Sequence, residues 1–87
     1  MKNYRSKFAK ELYGSIKDVL PKNWTISHID SKKKFFIVEC PIEDRMNVAW
    51  ETYHRKIRKI EKATNSENTG GGCFIGGDTY DNDFQVL

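Results

Sequence analysis

The chain has 87 residues, of which 38% are hydrophobic and 13% aromatic, and its formal net charge is +3. This length suits one domain with a single core, and the many aromatic rings argue against disorder over most of the chain. No stretch approaches the ~18 consecutive apolar residues of a membrane-spanning helix, and the N-terminus lacks the apolar segment of a secretion signal. We therefore expect one soluble, cytoplasmic domain over residues 1–87.

The two cysteines, Cys40 and Cys73, stand too far apart in the sequence to form a C-x-x-C unit. In the cytosol we expect both to be reduced thiols. A disulfide between the strands predicted to carry them is the alternative.

An amphipathic helix is predicted over residues 3–20. At about 100° per residue, its apolar side chains fall within one half of the circumference. Asn3 is a suitable N-cap, and Pro21 disfavours the α conformation at the residue before it. The apolar side chains are Tyr4, Phe8, Ala9, Leu12, Ile16, Val19 and Leu20.

A β-hairpin is predicted over residues 24–40, because two runs of β-branched and aromatic residues flank a polar turn. With a turn at residues 31–33, Asp30 lies opposite Lys34. The core face then carries Trp24, Ile26, His28, Phe36, Val38 and Cys40, and the outer face carries Thr25, Ser27, Ile29, Phe35, Ile37 and Glu39. A slip of one residue would exchange the two faces.

A second helix is predicted over residues 42–63, with a narrow apolar stripe that packs on the core. The stripe consists of Met46, Ala49, Trp50, Tyr53, Ile57 and Ile60. Acidic residues at the start of this helix and basic residues near its end match the helix macrodipole.

Residues 64–72 are polar and glycine-rich and are predicted to form a connector. A C-terminal hairpin follows over residues 73–87, with strands at 73–75 and 84–87 and a long loop at 76–83. The order α-β-β-α-β-β predicts an α+β two-layer sandwich, in which a four-stranded antiparallel sheet carries both helices on one face. Moving the first strand of a ferredoxin-like βαββαβ unit to the C-terminus gives the same arrangement, an analogy of topology that carries no function.

The polar face of the second helix concentrates basic side chains within roughly 100° of arc. These are Arg55, Arg58, Lys59 and Lys62, and the hairpin turn adds Lys32, Lys33 and Lys34. Such a patch is suited to contact phosphates and release their counterions. A solvated face that matches the helix dipole is the alternative interpretation.

The predicted outer face of the sheet is unusually apolar for a two-layer fold, because Ile29, Phe35 and Ile37 cluster there. Protein contact, including self-association, is the favoured interpretation. The loop residues Asp78, Tyr80 and Asp81 are assigned to the same interface. Coverage by a loop or tail and a base-stacking platform are the alternatives.

Two further patterns are explained by turns and loops. The glycine-rich run over residues 69–78 lacks both the Lys-Ser/Thr pair and the helix that a phosphate-binding loop needs. Asp78, Asp81 and Asp83 do not have the spacing of a calcium-binding loop, so no metal is expected.

The leading hypothesis is a small non-enzymatic binding module whose basic helix face and lysine turn contact nucleic acid or a nucleoprotein. A membrane is not expected as a partner, because the basic helix keeps its apolar stripe for the core. No cofactor or small-molecule substrate is expected either. The alternative is a protein-binding inhibitor or adaptor of the phage or mobile-element accessory type, acting as a monomer or a dimer. A cysteine-dependent enzyme, with Cys73 as nucleophile and His28 or His54 as base, comes third.

Overall fold

The computed structural model describes residues 7–46, 49–72 and 77–87. Its helices and strands follow the predicted α+β order, which is confirmed. They are α1 (Lys7–Ile16), β1 (Thr25–Asp30), β2 (Phe35–Pro41), α2 (Ile42–Met46), α3 (Trp50–Thr64), β3 (Ser66–Gly72) and β4 (Thr79–Val86).

The strands form one four-stranded sheet in the order β1-β2-β4-β3, and every neighbouring pair is antiparallel. The side chains of α1 and α3 enter the same core cluster, so both helices lie on one face of the sheet. This arrangement agrees with the predicted two-layer sandwich and its permuted ferredoxin-like topology.

The core lies between the two helices and the sheet. Phe36 and Phe84 are fully buried on neighbouring strands, and their rings stack with centroids 5.0 Å apart. Asn82 is also fully buried, and it accepts a hydrogen bond from the Tyr53 hydroxyl and donates one of 3.0 Å to the Val38 carbonyl. A buried amide with both partners present carries no desolvation penalty for unmade hydrogen bonds. The core side chains are Ala9, Leu12, Ile16, Trp24, Ile26, Phe36, Val38, Cys40, Tyr53, Ile57, Ile60 and Phe84.

The first hairpin differs from the prediction because of a β-bulge in β1. Ile26 pairs with Val38 as predicted, but the register then shifts, and His28 pairs with Ile37 and Ile29 with Phe36. An extra residue in one strand exchanges the faces of all later side chains. His28 is therefore exposed instead of facing the core, and Ile29 packs against the core instead of lying on the outer face.

The hairpin turn is also one residue longer than predicted, since Asp30 pairs with Phe35. The Asp30 carboxylate accepts hydrogen bonds of 2.9 Å from the backbone N–H groups of Lys32 and Lys33. Lys34 closes the turn with a positive φ of 58°. The local hydrogen bonds of Asp30 therefore fix a turn that strand alternation alone does not specify.

The predicted helix 42–63 is interrupted. Ala49 precedes α3 with an extended ψ of 139°, which cannot continue a helix, and residues 47–48 lie outside the described residues. α2 is anchored separately, because Asp44 accepts a 2.7 Å hydrogen bond from the Trp24 indole and Arg45 lies 5.0 Å from the Tyr53 ring. The predicted apolar stripe therefore divides. Its buried members are Tyr53, Ile57 and Ile60, whereas Met46, Ala49 and Trp50 are exposed.

The first helix is shorter than predicted. Its regular part ends at Ile16, and residues 3–6 of the predicted helix lie outside the described residues. Residues 17–19 form a turn after the helix, in which the backbone N–H groups of Val19 and Leu20 both donate hydrogen bonds to the Ile16 carbonyl. These two side chains still pack against the core, as predicted.

The predicted connector 64–72 is for the most part a strand. β3 pairs with β4 along the sheet edge, so β4 begins at Thr79 and includes most of the predicted loop. Asn65 turns the chain out of α3 in the left-handed conformation, with φ 50°. Backbone pairing, and not an apolar pattern, forms this edge strand. The predicted strand at 73–75 lies outside the described residues.

Candidate nucleic-acid interface

The polar face of α3 presents four exposed cations, as the helical spacing predicted. These are Arg55, Arg58, Lys59 and Lys62, called the basic face below. Within residues 7–46, 49–72 and 77–87, the one ion pair is Lys7–Glu11 on α1. No described carboxylate therefore lies within 4 Å of these four charges.

Lys56 differs from its neighbours on the same helix. It is half-buried, and its ammonium group lies 5.8 Å from the centre of the Trp24 ring. This cation–π contact ties Lys56 to the protein core. Lys56 is therefore not part of the basic face.

The lysine turn, Lys32 to Lys34, lies at the same end of the sheet as the C-terminus of α3. The Val86 N–H donates to the Lys34 carbonyl at 2.8 Å, and the next N–H, of Leu87, donates to the Asn65 carbonyl at 2.9 Å. Because β4 lies between them, the backbones at Lys34 and Asn65 are about 10 Å apart, which is two strand spacings. The Lys34 ammonium lies 4.6 Å from the Phe8 ring of α1, on the helix side of the sheet.

Trp50 at the start of α3 is a functional candidate that the sequence did not indicate. Its side chain is 63% exposed, and its ring lies 3.9 Å from the His54 ring, centroid to centroid. A groove of about 250 Å³ on this part of the helix is lined by Trp50, Glu51, His54, Arg55 and Arg58. The helical spacing of Trp50 assigned its side chain to the core. The strand β3, against which α3 packs, ends in glycines, which have no side chains to cover a neighbouring ring; this is the feature of the sequence that argues against burial.

The outer face of the sheet is apolar at its centre and acidic around it. Phe35 and Ile37 lie there as predicted, and the His28 ring, 5.5 Å from Phe35, takes the place of Ile29. Glu39 lies directly opposite Asp81 on the neighbouring strand. Like charges in such a pair are destabilising.

Asp83 continues this acidic surface, because it is two residues from Asp81 on the same face of β4. Partial burial, followed by the charge of Asp81, raises the pKa of the Asp83 carboxyl. The outer face of the described sheet therefore repels anions, although it carries a half-buried apolar patch at Phe35 and Ile37.

The three loop residues predicted for the interface are placed differently from one another. Asp81 lies on the outer face, but Tyr80 pairs with the buried Cys40 and packs against the core, which corrects its assignment. Asp78 is exposed, and its carbonyl accepts a 2.8 Å hydrogen bond from the Ile42 N–H. The prediction grouped them because it took residues 76–83 as one loop.

The residues of the predicted cysteine chemistry are not assembled in the described structure. Cys40 is a buried free thiol whose pKa is raised by burial, which makes it a poor nucleophile. Cys73 lies outside the described residues. His28 lies on the outer face of the sheet, whereas His54 packs against the Trp50 ring in the helix layer.

Neither a metal-binding cluster nor a membrane-spanning helix is found in the described parts of the chain. They contain no group of three or more His, Cys, Asp or Glu side chains arranged to hold a metal ion. None of the described helices has the length and apolar character required to cross a membrane.

Comparisons with protein-family models, with curated proteins and with solved structures give no match to this chain. Its function is therefore inferred from the chemistry of the surfaces described above.

Proposed function

We propose that this protein is a non-enzymatic module that binds nucleic acid, alone or within a nucleoprotein, through the basic face of α3. The lysine turn extends the contact at the C-terminal end of that helix. The observation that carries the proposal is the set of four exposed cations on α3, with no described carboxylate within 4 Å.

Electrostatic repulsion within the basic face favours a polyanionic partner. Arg55 and Lys59 are one helical turn apart, as are Arg58 and Lys62, and each like-charged pair costs about 0.2–0.5 kcal/mol. A phosphate backbone placed along this face relieves the repulsion and releases its own counterions. The partner gains more from this surface than a single small anion does, because the charges run over two helical turns.

A nucleic acid suits the surface better than a membrane does. The apolar side chains of α3, Tyr53, Ile57 and Ile60, are buried in the core. The helix therefore has no apolar face to insert between lipids, which peripheral membrane helices need. We place the protein in the cytoplasm as part of this proposal, since Cys40 is a free thiol.

Charge reversal tests the proposal. Arg58→Glu with Lys59→Glu should abolish binding of a labelled oligonucleotide in fluorescence anisotropy, because it removes two phosphate contacts and adds two repulsive charges. The matched control is Lys10→Glu with Lys17→Glu, which makes the same charge change at two exposed positions, one within α1 and one directly after it. Equal losses in both variants would show an effect of net charge alone and contradict a defined binding face.

A second candidate function is a protein-binding inhibitor or adaptor that uses the outer sheet face, as a monomer or a dimer. The opposed carboxylates of Glu39 and Asp81, beside Phe35 and Ile37, favour a partner surface with cationic and apolar groups. Affinity capture from the host after nuclease treatment tests it. A partner that survives nuclease and is lost in Phe35→Ser supports this function; a partner retained in Phe35→Ser contradicts it.

A further inference from the structure

The exposure of Trp50 is not required by a purely electrostatic interface. Its side chain is 63% exposed, whereas Trp24, the other tryptophan, is 2% exposed within the core. An indole is among the largest apolar surfaces that a folded chain can bury. The strand β3, which packs against α3, ends in glycines at residues 70–72, and glycines have no side chains that could cover a neighbouring ring.

The indole is held in place by a series of ring contacts. The His54 ring lies 3.9 Å from that of Trp50, and the planes are inclined by 40°. The His54 ring in turn meets the buried Tyr53 ring edge-on, with centroids 5.1 Å apart. One side of the indole is thereby supported from the core, while much of its surface faces solvent.

Arg55 and Arg58 line the same groove as Trp50. Guanidinium groups bind phosphates through paired N–H donors, and aromatic rings stack on nucleobases. Glu51 completes one wall and supplies an acceptor for an amino group on a base edge. The groove thus offers groups that complement both the base and the phosphate of one nucleotide.

We infer that this groove binds an unpaired base of a single-stranded nucleic acid, stacked on Trp50, with adjacent phosphates held by Arg55 and Arg58. The inference rests on the proposed function, since the basic face holds the strand. In a duplex, each base is stacked between its neighbours, so its face is open to Trp50 only after the base is flipped out. The groove therefore favours single strands over duplexes, a preference that the charged side chains alone do not provide.

Anisotropy measurements on the full chain test this with two labelled probes, a mixed-sequence single strand of about 16 nucleotides and its duplex. Trp50→Ala should weaken single-strand binding about 5- to 150-fold and leave duplex binding within about twofold. Trp50→Phe, which keeps an aromatic ring, should retain most of the single-strand affinity.

Tryptophan fluorescence gives a second readout. Stacking of a base quenches Trp50, whereas Trp24 is buried away from the probe. The unlabelled single strand should therefore quench the wild-type protein and leave Trp50→Phe unquenched. Quenching of equal depth in both proteins would overturn the assignment of the base to Trp50.

The outcomes separate this inference from the proposed function. Unchanged single-strand affinity in Trp50→Ala, or equal losses on both probes, would overturn base stacking. If Arg58→Glu with Lys59→Glu still abolishes binding in that case, the proposed function stands. If the wild-type protein binds neither probe, both the proposed function and the stacking inference are wrong.

Discussion

Phe84 and Trp50 represent the two environments that aromatic rings occupy in this molecule. Phe84 is fully buried and stacked on Phe36, so Phe84→Ala should lower the free energy of unfolding by about 3–5 kcal/mol. Trp50 is mostly exposed, and Trp50→Ala should change the free energy of unfolding by less than about 0.5 kcal/mol. Urea denaturation of the two variants measures the difference. If Trp50→Ala lowered the free energy of unfolding as much as Phe84→Ala does, Trp50 would have to be part of the core, which would contradict its exposure.

Asp83 gives the fold a defined pH dependence. Because burial and the charge of Asp81 raise its pKa above the unfolded value of 3.8, the ionised carboxylate destabilises the folded state. This destabilisation is present above the folded pKa and disappears as the pH falls below 3.8. Asp83→Asn should therefore be more stable than the wild type at about pH 7 and equal to it at about pH 3. Urea midpoints at the two pH values measure this; a gain of the same size at both would contradict the assignment.

At the scale of single elements, the edge strand β3 depends on one glycine. A Cβ at Gly71 would collide with the backbone carbonyl oxygen of Asp81, whereas a Cβ at Gly72 would meet open space. Gly71→Ala should therefore lower the free energy of unfolding by more than about 1 kcal/mol. Gly72→Ala is the matched control and should be neutral or slightly stabilising. Equal thermal midpoints in the two variants would contradict the β3–β4 pairing.

The elements that the sequence predicts well are those with a complete apolar pattern. The buried positions of α1, and Tyr53, Ile57 and Ile60 on α3, follow helical spacing, and Ile26 pairs with Val38 as strand alternation requires. The bulge beyond Ile26 could not be predicted from that alternation. His28 and Ile29 are adjacent in the sequence, and the register shift exchanges the faces of the sheet on which they lie. β3 could not be predicted, since its glycines and polar residues form a strand only when β4 pairs with them.

The same distinction applies to the candidate site. The basic face follows from the spacing of Arg55, Arg58, Lys59 and Lys62 along a helix, and these side chains are exposed in the structure. The exposure of Trp50 does not follow from its spacing, which matches the buried stripe. Trp50 lies at the end of the apolar stripe of α3, and its burial depends on the side chains that β3 places beside the helix. Those side chains are known only from the structure, because β3 was predicted to be a connector.

At the scale of the whole molecule, the two layers carry opposite charge. The helix layer presents the basic face, and the outer face of the sheet presents Glu39, Asp81 and Asp83. A polyanion is therefore attracted to one side of the domain and repelled from the other, which orients it before contact. The apolar patch at Phe35 and Ile37 lies on the repelling side, so it suits a protein partner better than a nucleic acid.

The salt dependence of oligonucleotide binding tests the central claim most directly. Four phosphate contacts from the basic face, or up to seven with the lysine turn, predict that log K against log salt has a slope of about −3 to −5 on single strands. Fluorescence anisotropy of the wild-type protein across a salt series measures this slope. A slope in that range, flattened in Arg58→Glu with Lys59→Glu, is the predicted result. Binding that is absent at low salt, or that does not change with salt, would contradict a phosphate-binding function for α3.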